Sequence, residues 1–129
     1  RVVEKGAVVQ HAEEAARRHG VEIAVVLDDW PEALGNEPAL VLYRIAQEAV
    51  SNAMRHAGAA TIRVSLARKP GRLVLEVVDD GSGLPPDSAG KGAGLGLMRY
   101  RAGLIGAELT VRSRRGGGVA VSCVWPLPA

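Results

Sequence analysis

Hydrophobic and polar positions divide the chain into stretches of alternating period. Residues 4–19 are rich in Ala, Glu and Arg at helical spacing and stop at Gly20, a residue suited to the left-handed cap that ends a helix. The period then falls to two, and VEIAVVL predicts a strand over Val21–Leu27. Trp30-Pro31 and Pro38 mark Asp28–Pro38 as a loop. A long helix follows through PALVLYRIAQEAVSNAMRHAG to Gly58, with Leu40, Ile45, Ala49 and Ala53 on its apolar face and Tyr43 and Arg44 elsewhere on the cylinder. TIRVSL and LVLEVV alternate on either side of Pro70-Gly71, which predicts a hairpin of Thr61–Leu66 with Leu73–Val78. A third helix, entered near Leu95, runs through Leu97–Ile105 and ends at Gly106. Glu108–Ser113 and Val119–Trp125 form a second hairpin about the turn Gly116–Gly118. Five strands in two hairpin-linked pairs plus one, with three helices between them, predict an α+β two-layer sandwich. Its sheet is mixed and mostly antiparallel, with the helices on one face.

Size and composition narrow the class without naming a function. A chain of 129 residues fits one domain and buries about two-thirds of its unfolded surface without needing a metal or a disulfide. It is 47% hydrophobic and 23% charged, with no apolar run near the ~20 residues of a membrane span, so a soluble, cytoplasmic domain is expected. Cys123 has no cysteine partner and lies in an alternating strand, which reads as a core thiol in a reducing compartment. A net charge of +2 is too small to argue for nucleic acid, and Arg112, Arg114 and Arg115 read as a solvated hairpin end. Residues 1–20 read as a linker helix continuing from an absent neighbouring domain.

Candidate chemistry concentrates in DDGSGLPPDSAGKGAGLGL, Asp79 to Leu97. Asp79 and Asp80 sit where a buried strand ends, and a buried acid needs a donor partner. Gly81 and Gly83 let a ligand come close to the backbone because they carry no Cβ. Gly92, Gly94 and Gly96 lead into a helix N-terminus, which favours an anion such as phosphate. The glycines do not follow a strand directly, as a dinucleotide fingerprint requires, and the chain has no GK[ST] of a Walker loop. A tight turn followed by a plain surface loop explains the glycines equally well.

The long helix carries a polar row, Glu48, Asn52, Arg55 and His56. Residues four apart share a helix face, so Glu48 and Asn52 point the same way and Arg55 and His56 follow one turn on. A carboxylate, an amide and cations in series suit a base, an oxygen ligand for Mg²⁺ and phosphate contacts. Each also has a plain explanation, as solvated face or as cations near a helix C-terminus.

Together these stretches resemble a family. Glu48-Ala-Val-Ser-Asn52-Ala-Met-Arg55-His56 is similar to the N box of the GHKL, or Bergerat-fold, ATPases, Asp79-Asp80-Gly81-Ser82-Gly83 to their DxGxG box, and Gly92-Ala-Gly94-Leu95-Gly96-Leu97 to their GxGxG box. YRIAQEAVSNAMRHA, MRYRAGLIGAEL and a last strand ending at Pro126 further resemble the catalytic domain of nitrate-responsive-type sensor histidine kinases, over roughly residues 20 to 127.

The resemblance implies ATP and Mg²⁺ as cofactors. It implies that Asp79 accepts from the adenine amino group, Asn52 ligates Mg²⁺ and Glu48 polarises the attacking group or orients water. Arg55, where many relatives have lysine, and His56 would lie near the phosphates, and Gly81 and Gly83 beside adenine. Lys91, Gly92, Gly94, Leu95, Gly96 and Leu97 would form and anchor a lid over the phosphates. Val119 stands where relatives commonly carry threonine, and Ala107 where they often carry glycine. The implied partners are a separate dimerisation and phosphoacceptor domain and a response regulator, with a homodimeric parent kinase and a monomeric fragment. An anti-sigma-factor serine kinase shares the N box and is the alternative enzyme. A nucleotide-gated scaffold without catalysis would need a damaged site, whereas Glu48, Asn52 and Asp79 are all present.

Overall fold

The computed structural model describes residues 5–27, 36–55, 60–81 and 95–127. Helix α1 (Lys5–His19) leads into strand β1 (Glu22–Leu27), followed by α2 (Asn36–Arg55), β2 (Thr61–Lys69), β3 (Arg72–Asp79), α3 (Leu95–Leu104), β4 (Glu108–Ser113) and β5 (Val119–Pro126). The sheet order is β1-β2-β3-β5-β4, parallel between β1 and β2 and antiparallel elsewhere. This is the mixed, mostly antiparallel sheet with three helices that the periodicity predicts.

Strand alternation explains the layering. Ile62, Val64 and Leu66 of β2, Leu73, Leu75 and Val77 of β3, and Val121 and Cys123 of β5 are all buried, and they belong to one core cluster with Leu42, Ile45, Ala49 and Ala53 of α2 and Met98 and Ala102 of α3. Their neighbours Thr61 and Arg63 are exposed on the helix-free face. Cys123 is completely buried, and burial pushes its thiol up to about 11, as expected of a core thiol rather than a reactive one. Trp125 ties the sheet to the end of α3 by donating its indole N–H to the Ile105 carbonyl at 2.6 Å. No helix among the described residues is long and apolar enough to cross a membrane.

The structure departs from the sequence reading in two places on α2. Pro38 lies inside the helix, not in the loop before it, because α2 begins at Asn36. A proline in the first turn removes no intrahelical hydrogen bond, so this breaker opens the helix instead. Leu40 is 41% exposed and not part of the apolar face. Five residues separate it from Ile45, which places it ~140° around the helix, and Val41 and Leu42 take the inward positions instead. The hairpin strands are also longer than their hydrophobic runs, since Ala67–Lys69 and Arg72 pair beyond the apolar core.

Candidate functional site

β3 delivers Asp79 to the end of the sheet on the same face as Leu73, Leu75 and Val77, where α2 packs. The side chain is buried, the one charged residue so placed among the described residues. Its Oδ1 accepts hydrogen bonds from the backbone N–H of Gly81 at 2.8 Å and of Val119 at 3.3 Å. These donors satisfy part of a carboxylate that burial would otherwise penalise. Among the described residues both donors fall on Oδ1, which makes Oδ2 the candidate acceptor for an incoming donor.

Asp80, one residue on, points to the other side and does different work. Its Oδ1 accepts from the N–H groups of Ala60 and Thr61, both at 2.9 Å, and its Oδ2 from the Thr61 hydroxyl at 2.9 Å. The backbone and hydroxyl donors of Thr61, with help from Ala60, hold its carboxyl below the ordinary range. Asp80 therefore locks the start of β2 to the end of β3. A carboxyl lowered in the folded state contributes stability that is fully present above its unfolded pKa and lost as pH falls through the folded value. Asp80→Ala should accordingly lower the melting temperature at neutral pH, and the gap from wild type should close below about pH 4. Melting curves against pH check this, and a gap independent of pH would refute the anchoring role.

The turn between β4 and β5 closes over Asp79 from a distant part of the sequence. The guanidinium of Arg114 donates through Nη1 to the Asp79 carbonyl at 3.0 Å. Gly118, at φ +101°, packs so closely that a Cβ there would lie within 2.8 Å of the Asp79 carbonyl carbon and closer still to its oxygen. Sequence reading missed these contributors: Arg114 was grouped with a solvated hairpin end, and Gly116–Gly118 were read as a turn and nothing more. Three consecutive glycines exceed what a hairpin turn needs, and that surplus was the available signal.

α2 contributes the second wall. Glu48 and Asn52 are half-buried, one turn apart, and Asn52 Oδ1 is covered from solvent. Arg55 closes the helix. Leu95, the first residue of α3, is 2% exposed, whereas Gly96 and Leu97 are exposed. α2 packs on both β3 and α3. His56, Gly83, Lys91, Gly92, Gly94 and the expected lid lie outside the described residues, as does the side chain of Arg55. A shallow depression lined by Glu22, Thr61, Arg63, Val78, Asp79 and Arg114 adjoins the Asp79 end of β3.

Known proteins share this fold. The family described as histidine kinase-, DNA gyrase B- and HSP90-like ATPases matches residues 37–129. A signal transduction histidine-protein kinase/phosphatase, UhpB of Salmonella typhimurium, is 38% identical over 97 residues, 73% of this chain. The chain spans 19% of that relative's length. The histidine kinase domain of the blue-light activated kinase EL346 from Erythrobacter litoralis superposes with a TM-score of 0.77 at 25% identity, over 93% of this chain and 59% of that one. The ATP-binding domain of PrrB from Mycobacterium tuberculosis shares the fold, with a TM-score of 0.74 at 21% identity over 98% of this chain and 96% of that one. With the match covering all but the first 36 residues, the chain belongs to the histidine kinase-, DNA gyrase B- and HSP90-like ATPase family.

Proposed function

We propose that the chain is the ATP-binding catalytic domain of a two-component sensor histidine kinase. It transfers the γ-phosphoryl group of ATP to a histidine on a separate dimerisation and phosphoacceptor domain, for relay to a response regulator. The observation that carries this reading is the buried carboxylate of Asp79, held by the backbone N–H groups of Gly81 and Val119 at the end of β3. Adenine presents an exocyclic amine that such an acceptor suits. The kinase/phosphatase relative supports histidine as the acceptor.

Glu48, on the same helix face as Asn52, polarises the attacking group. The family resemblance assigns Arg55, His56, Lys91, Gly92 and Gly94 to the phosphates. The donor set of α2 fits Mg²⁺: Asn52 offers a carboxamide oxygen with a carboxylate one turn away, and a hard cation that keeps waters and phosphate oxygens needs few protein ligands. No group of three or more His, Cys, Asp or Glu among the described residues forms a metal cage, so the ion would arrive with the nucleotide and neutralise its phosphate charge.

α3 carries an apolar stripe of Leu97, Tyr100 and Leu104, at spacings of three and four, all exposed and one of them 66% so. Its start follows Gly92 and Gly94 in the sequence. We assign this stripe to the phosphoacceptor domain, since an exposed apolar patch suits a protein partner.

Incubation with labelled ATP should leave this chain unlabelled, because His11, His19 and His56 stand in no acceptor context. Addition of the parent kinase's acceptor domain should yield an acid-labile phosphohistidine on that domain. Acid-stable phosphoserine on a partner protein would instead establish the serine-kinase alternative.

A further inference from the structure

The β3–β5 ladder stops at Val78 and Ala120. At the next step the Val119 N–H turns to the Asp79 side chain, and the Asp79 carbonyl is met by the Arg114 guanidinium, 35 residues away. The turn that supplies Arg114 is itself closed, since the Arg114 N–H donates to Gly118 O at 2.9 Å and the Gly117 N–H to Arg114 O at 3.2 Å. Gly117 sits where a Cβ would lie 3.3 Å from the Gly81 carbonyl, so the same turn flanks both ends of Asp79-Asp80-Gly81. One turn therefore touches the main chain of Asp79, its carboxylate and the residue whose N–H completes the carboxylate's bonding.

We propose that Arg114 is a positioning residue for base recognition: it fixes the Asp79 main chain, and through it the direction of Oδ2, so that the carboxylate selects a purine carrying a 6-amino group. This rests on Asp79 being the adenine acceptor. The bond of Arg114 is to the Asp79 main-chain carbonyl, so its effect passes through Asp79. Without the guanidinium, residues 79–81 keep the Gly81 and Val119 bonds but lose the main-chain clamp, and the carboxylate samples more directions. The loss falls on ligands that use Oδ2. Phosphate contacts, made from α2 and the α3 N-terminus, are spared.

The test compares ATP with purine riboside triphosphate, which has hydrogen in place of the 6-amino group, by calorimetry on the full chain. Wild type should prefer ATP. Arg114→Met should weaken ATP about 3- to 10-fold, less than the full value of a hydrogen bond to a charged group because the carboxylate remains, while purine riboside triphosphate changes less than about twofold. Arg114→Lys, whose ammonium can also donate to the carbonyl, should restore most of the preference. If wild type itself shows no preference, the adenine role of Asp79 is overturned and this inference with it. If wild type prefers ATP and Arg114→Met keeps the same ratio, or loses both ligands equally, the positioning role of Arg114 alone is overturned.

Discussion

Glu48→Gln should depress phosphotransfer to a supplied acceptor domain by roughly 10²- to 10⁴-fold while leaving ATP affinity within a few fold. The two side chains have nearly the same volume, so the packing of α2 against β3 and α3 is preserved, and Glu48 is only half-buried. What changes is charge. A neutral amide cannot polarise or deprotonate an attacking group, and the loss corresponds to about 3–5 kcal/mol of transition-state stabilisation. On the proposed reading the base is held by Asp79 and not by Glu48, so affinity should be spared. Single-turnover labelling of the acceptor domain, with affinity measured separately, checks both halves. Unchanged transfer would make Glu48 a structural member of α2.

Gly118→Ala should be the most damaging substitution of a single small residue. The new methyl would lie within 2.8 Å of the Asp79 carbonyl carbon and 3.1 Å of the Asp80 Cα, and backbone atoms cannot swing aside as a flexible side chain can. The φ of +101° adds strain for any residue with a Cβ. Backbone strain of about 1–3 kcal/mol and overpacking of similar size act together. A fall in melting temperature of roughly 10 °C or more follows. Because the methyl displaces Asp79, ATP affinity should fall too. Gly116→Ala is the internal control: it has φ +88° but nothing within 4 Å, so it should show strain alone and retain ATP binding. Equal losses at the two positions would refute the close approach to Asp79.

Most of the fold was legible because period and punctuation agree along this chain. β4 was bounded correctly as Glu108–Ser113, since strict alternation begins after Gly106 and stops before the glycine turn. Pro38 and Leu40 misled for local reasons: a proline breaks a helix or opens it according to position, and a five-residue offset leaves the apolar face. Asp79 was legible as a buried acid at a strand end, but its separation in role from Asp80 was not. Strand alternation sends the two carboxylates to opposite sides, and the partners of Asp80 come from residues 60 and 61. Arg114 and Gly118 were illegible for a related reason. Their meaning depends on contacts across 35 or more residues that a reading by local windows does not join.

Calorimetric titration of wild type and Asp79→Asn with ATP and GTP tests the central claim most directly, that Asp79 makes this an adenine-nucleotide site. In the variant, the N–H groups of Gly81 and Val119 hold the amide oxygen in the place of Oδ1, which leaves the amide NH₂ where Oδ2 was. That group repels the adenine amine and matches the guanine carbonyl. Wild type should bind ATP more tightly than GTP, whereas Asp79→Asn should lose ~1.5–3 kcal/mol toward ATP, about 10- to 150-fold, and narrow or reverse the preference. Equal affinities of the wild-type chain for ATP and GTP would contradict the account.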